Sequence, residues 1–97
     1  MRANVYIIYH TFSAGCGTGN YTIALSEFVG KVTGLELNEG MLGKALDKTA
    51  HLKNVKVMKG DITKMPFQDA QFDGLCCNQV SDTVTAAIMI RDSYRIL

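Results

Sequence analysis

Gly15-Cys16-Gly17-Thr18-Gly19-Asn20 ends one apolar run and opens a helix-forming one, and this junction constrains the chain more than any other stretch. Val5 to Phe12 (Val, Tyr, Ile, Ile, Tyr, His, Thr, Phe) reads as a strand. It is near-continuously apolar, as a strand buried on both faces of a parallel sheet is. Tyr21 to Val29 reads as a short helix, with Ile23, Ala24, Leu25 and Phe28 available for burial. Strand, glycine turn and helix together make a nucleotide-cradling unit. Glycine lets the backbone turn sharply and lets a ligand approach where a side chain would collide. The helix start adds unpaired N–H groups. A dinucleotide fingerprint, G-x-G-x-x-G, would need a third glycine at position 20, which is Asn20. Here that glycine arrives one residue early, at Gly19, which disfavours a nicotinamide-dependent oxidoreductase. The bland alternative is a purely structural turn.

The rest of the chain keeps alternating strand and helix. Lys31–Leu37 reads as a second strand and brings Glu36 seventeen positions past Gly19. A βαβ nucleotide unit places a carboxylate at about that distance to accept hydrogen bonds from ribose hydroxyls. The competing reading is a solvated strand end or a capping charge, with Asn38 as N-cap of the next helix. That helix spans Glu39–Leu52, with Leu42, Ala45, Leu46 and Thr49 at helical spacing. Met41 reads either as a gap-filling core residue or as a contact at a pocket rim. Asn54–Lys59 alternates apolar and polar residues, as an edge strand with one wet face does. Phe72–Val80 makes a fourth strand, whose last residues Asn78, Gln79 and Val80 fall where open parallel sheets bind ligands. Thr83–Leu97 is the last helix, with Ala87, Ile90, Tyr94 and Leu97 on one repeating face.

A chain of 97 residues, 47% apolar, holds one small domain with an ample core. A net charge of +1 without a basic stripe gives no signal for nucleic acid. No apolar stretch is long enough for a membrane span, and no small-residue cleavage site marks a signal peptide. Three cysteines, two of them adjacent, do not make a disulfide framework, so a reducing cytoplasmic setting is the default. Cys76 and Cys77 point to opposite faces of their strand and cannot share a metal; both read as buried, unreactive thiols. No metal site is expected. Two histidines and scattered carboxylates form no acid–base constellation.

Three spaced segments resemble the motifs of class I S-adenosylmethionine-dependent methyltransferases, of the methyltransferase type 11-like kind. They are Gly-Cys-Gly-Thr-Gly at 15–19, Gly-Leu-Glu-Leu-Asn-Glu-Gly-Met-Leu at 34–42 and Gly-Asp-Ile-Thr-Lys-Met-Pro-Phe at 60–67. The resemblance runs from about Ser13 to Leu97. It implies S-adenosyl-L-methionine as cofactor. Gly15, Cys16, Gly17, Gly19 and Asn20 would lie along its methionine and ribose region, with Glu36 on the ribose diol. Leu37 would belong to the same cofactor site, with Met41 at the adenine rim, Asp61 and Ile62 at adenine, and Asn78 and Val80 on the pocket floor near the methyl. One departure stands out. The family usually carries an acidic residue two positions before the first glycine, and here it is Ser13. A hydroxyl offers no charge to the cofactor's ammonium, so weaker binding is expected.

The resemblance also implies an α/β fold: a Rossmann-like three-layer sandwich around a parallel sheet ordered 3-2-1-4. Residues 1–97 would be the cofactor-binding domain, truncated before a fifth strand. The fourth strand would then be an apolar edge, open to a second copy or another chain. Methyl transfer to an unread acceptor, after such completion, is the functional expectation. The rival is a non-catalytic remnant acting through that edge.

Overall fold

The computed structural model describes residues 9–77 and 83–97. The strands are β1 (His10–Ala14), β2 (Lys31–Glu36), β3 (Val55–Lys59) and β4 (Gly74–Cys77); the helices are α1 (Asn20–Ser26), α2 (Glu39–Thr49) and α3 (Thr83–Ile96). All strand pairs are parallel and the order is β3-β2-β1-β4, as expected. β1 runs on to Ala14, and the expected residues 5–8 of that strand lie outside the described part. The same holds for Asn78, Gln79 and Val80 at the far end of β4.

Alternation along β1 and β2 divides the core between the two faces of the sheet. Phe12, Ala14 and Leu35 join Met65, Phe67, Phe72 and Ile96 on the face that α3 covers. Phe12, Phe67 and Phe72 pack ring against ring, with centroids 4.9–5.3 Å apart, two of the contacts edge-on. Such contacts add to the area they bury. On the other face Ser13 meets Thr22 of α1, and the Gly19 backbone lies against Ala45 of α2. Asn38 caps α2, its side-chain oxygen accepting from Met41 N at 3.0 Å.

Three burial expectations are corrected. Phe28 is 69% exposed because α1 stops at Ser26, whose hydroxyl turns back onto the Ile23 carbonyl at 2.6 Å. A side chain that bonds its own backbone in this way competes with helix continuation. Thr22 supplies the buried contact instead. On α3 the stripe Ile90, Tyr94, Leu97 faces outward, while Ser93 and Ile96 are buried; the side chain of Ala87 lies outside the description. The end of that helix is fastened by its backbone: Ala70 N donates to Arg95 O and Phe72 N to Ile96 O, both at 2.9 Å. The Arg95 guanidinium also grips the Met65 and Phe67 carbonyls. These bonds, not the apolar periodicity, set the helix rotation. Finally, Cys77 is exposed and Cys76 half-buried, so neither is a sealed core thiol.

Candidate cofactor site

Strand register assembles the site. Ala14 pairs with Leu35 and with Cys77, Leu35 with Met58, and Glu36 with Lys59. The glycine loop, Glu36 and Gly60-Asp61 therefore leave the sheet side by side at the carboxyl ends of β1, β2 and β3. That edge is where open α/β sheets bind ligands.

Gly15 and Gly17 hold φ of +61° and +58°, a region L side chains rarely occupy. A Cβ built on either meets nothing within 4 Å, so the loop borders open space. Cys16 N donates to Leu35 O at 3.1 Å and Gly19 N to Cys16 O at 3.0 Å, which closes the turn onto β2. The third anchor is Glu36. Its Oε1 accepts from Gly17 N at 2.6 Å and its Oε2 from Asn38 N at 3.0 Å. Only 9% of this residue is exposed. Both oxygens are thus fixed by backbone donors.

Asp61 closes a local turn: its Oδ1 accepts from Thr63 N at 2.8 Å and from the Thr63 hydroxyl at 2.7 Å. The hydroxyl first, and the backbone N–H next, hold this carboxyl below the usual aspartate range. Oδ2 is left outside the turn. Ile62 packs half-buried against the Phe12 cluster. Leu37 and Met41 are 59% and 46% exposed, so Met41 is no core filler. The side-chain oxygen of Asn20 accepts from the Lys48 ammonium on α2. Asn78 and Val80 fall outside the described residues.

Some residues carry more than the sequence signalled. Cys16 is buried under the loop, and an added Cβ at Gly34 would come within 3.1 Å of its sulfur, so Gly34 makes room for that thiol. Burial, and then the charge of Glu36, push the Cys16 thiol up to about 11. Ser13 is also enclosed: it is 2% exposed, and its Oγ accepts from the fully buried Thr22 hydroxyl at 3.3 Å. Only tertiary packing shows this pair. Thr63 had a local signal, since Asp-x-Thr after a strand is an Asx-turn pattern.

S-adenosylmethionine asks for acceptors toward a ribose diol and an exocyclic amine, with backbone close at hand. Glu36, Asp61 and the open side of Gly15 and Gly17 match that set; Ser13 supplies no charge at the ammonium end. Among the described residues there is no cluster of three metal-ligating side chains. None of the described helices is long and apolar enough to cross a membrane.

The chain is 49% identical over 89 residues to the demethylmenaquinone methyltransferase of Staphylococcus aureus, which covers 84% of this chain and 36% of that protein. It therefore spans about a third of that relative's length. A SAM dependent methyltransferase from Aquifex aeolicus superimposes with a TM-score of 0.77 at 27% identity, over 91% of this chain and 50% of its own. Phosphoethanolamine N-methyltransferase 1 of Haemonchus contortus, solved with phosphoethanolamine and S-adenosylhomocysteine, shares the fold with a TM-score of 0.85. At 18% identity it covers 98% of this chain and 21% of its own. The family described as methyltransferase domain matches residues 12–97, and the chain belongs to that family.

Proposed function

We propose that this chain holds S-adenosyl-L-methionine across the carboxyl ends of β1, β2 and β3 and serves methyl transfer once its sheet is completed at β4. The observation that carries the reading is the Glu36 carboxylate, buried, fixed to Gly17 N and Asn38 N, and bordering the open side of the glycine loop. The cofactor's sulfonium supplies a reactive methyl and a good leaving group. What the chain must do is bind and orient. Gly15, Cys16, Gly17 and Gly19 give backbone a close approach, and Asn20 continues that wall. Glu36 accepts from the ribose diol, Asp61 through Oδ2 from the adenine amine, and Ile62, Leu37 and Met41 flank the ring. Positioning of this kind is a large part of the barrier reduction for a bimolecular displacement.

Calorimetric titration with S-adenosylhomocysteine, against NADH as comparison, tests the reading. Saturable binding of the first alone is expected; binding of NADH alone, or of neither by a folded chain, overturns it. The 49% identity to a demethylmenaquinone methyltransferase makes demethylmenaquinone the first acceptor to assay. One observation favours a second reading, a non-catalytic interaction module: the Ser13–Thr22 pair stands where the family usually has a carboxylate. Binding without turnover in a completed sheet would select it.

A further inference from the structure

The turn that follows β3 is braced from several sides. Gly60 N donates to the Glu36 carbonyl at 3.1 Å, which ties the turn to the residue that carries the ribose-side carboxylate. A Cβ built at Gly60 would lie 2.4 Å from Leu35 Cδ1, so the backbone here runs tight against β2. Lys64 N donates to the Asp61 carbonyl at 2.9 Å and closes the turn. Ile62 packs against the Phe12 cluster and Met65 belongs to it, so Thr63 stands between two residues anchored in the core. Its two donors, the backbone N–H at 2.8 Å and the hydroxyl at 2.7 Å, both end on Oδ1 of Asp61. These bonds also lower the proton affinity of the carboxyl, which keeps it ionised at neutral pH.

We propose that Thr63 is a positioning residue that makes the site select a 6-aminopurine over a 6-oxopurine nucleoside: by occupying Oδ1 it leaves Oδ2 of Asp61 to face the base. The proposal rests on the reading of Asp61 as the adenine acceptor and adds what orients it. An ionised carboxylate accepts hydrogen bonds and donates none. It matches the exocyclic amine of adenine and opposes O6 of hypoxanthine, acceptor against acceptor. Asp61 is half-buried, so water softens that opposition, and the discrimination is about tenfold rather than the thousands of a sealed site. The same bracing fixes the outcome of Asp61→Asn. An amide has one oxygen and one NH2 to place. Both donors of Thr63 can be met only by the oxygen, so the NH2 takes the outward position. A site that accepted from an amine would then donate to a carbonyl.

Calorimetric titration of the whole chain with S-adenosylhomocysteine and with S-inosylhomocysteine reads this as the ratio of the two affinities. The unmodified chain should favour the adenine ligand about tenfold. Asp61→Asn should reverse the preference, and adding Thr63→Val to it should erase the reversal. Thr63→Val alone, which keeps the N–H and loses the hydroxyl, should lower the ratio at least about threefold, and Thr63→Ser should restore it. A residue that merely stiffened the turn would shift both affinities together and leave the ratio alone. An Asp61→Asn chain that still prefers adenine overturns the role of Thr63, as does a Thr63→Val chain with an undiminished ratio. Equal affinities in the unmodified chain overturn it too, while leaving the cofactor reading in place. A folded chain that takes neither ligand overturns both.

Discussion

Replacing Glu36 by alanine and by glutamine separates its two duties. In the folded chain one carboxylate oxygen takes Gly17 N and the other takes Asn38 N, in a place almost closed to water. Alanine leaves both N–H groups without an acceptor. Glutamine keeps one carbonyl oxygen and turns its NH2 toward the other donor, so one backbone N–H loses its partner. Leaving such a group unsatisfied costs about 1–3 kcal/mol of stability, which a urea titration of each variant would read. The ligand term is separate. Accepting from a ribose hydroxyl with a charged oxygen contributes roughly 1.5–3 kcal/mol, so Glu36→Ala should weaken S-adenosylhomocysteine binding roughly 10- to 150-fold by calorimetry. A folded Glu36→Ala chain with unchanged affinity would refute the ribose assignment. Should glutamine bind as tightly as glutamate while alanine fails, the carboxylate holds the loop and its charge plays no part.

Three further outcomes are expected. Burial, with Lys31 behind it and Asp73 opposing, holds the His10 imidazole below its ordinary 6.5. Its neutral form is the one that folds, so this contribution is complete above about pH 6.5 and falls away as the pH drops through the folded value. Urea midpoints should therefore decline from pH 7 to pH 5, and less steeply in His10→Gln. With its thiol near 11 and buried, Cys16 should resist iodoacetamide at pH 7.5 in the native chain, while exposed Cys77 reacts first, as peptide mapping would show. Equal labelling would contradict the closed loop. The Thr11 hydroxyl is buried without a hydrogen-bond partner among the described residues, so Thr11→Val should raise the unfolding free energy by about 1 kcal/mol. A loss of stability in that variant would show that the hydroxyl has a partner.

What could be read in the chain beforehand divides along a physical line. Strand, glycine turn and helix are local: positive φ at Gly15, Gly17 and Gly19 is a property of the backbone, and the residue type announces it. The Asn38 cap was legible for the same reason, since it rests on a neighbour three positions away. Strand order is not local. The order β3-β2-β1-β4 came from the resemblance of three motifs, because periodicity says that a strand exists and not which strand lies beside it.

Burial failed where something distant decided it. Ile90, Tyr94 and Leu97 have the spacing of a buried stripe, and on α3 that spacing is real. Whether a stripe faces in depends on how the helix is held, and here backbone bonds from Ala70 and Phe72 and the reach of Arg95 to two carbonyls fix its rotation. The outcome places Ser93 and Ile96 inward and leaves three large apolar side chains outside. The same dependence hid the second duty of Glu36, whose bond to Gly17 spans nineteen residues and exists only because Ala14 and Leu35 are in register. An apolar stripe turned outward beside an uncharged strand edge is a mismatch within one chain. It disappears if the unit that buries this apolar surface is larger than these residues alone.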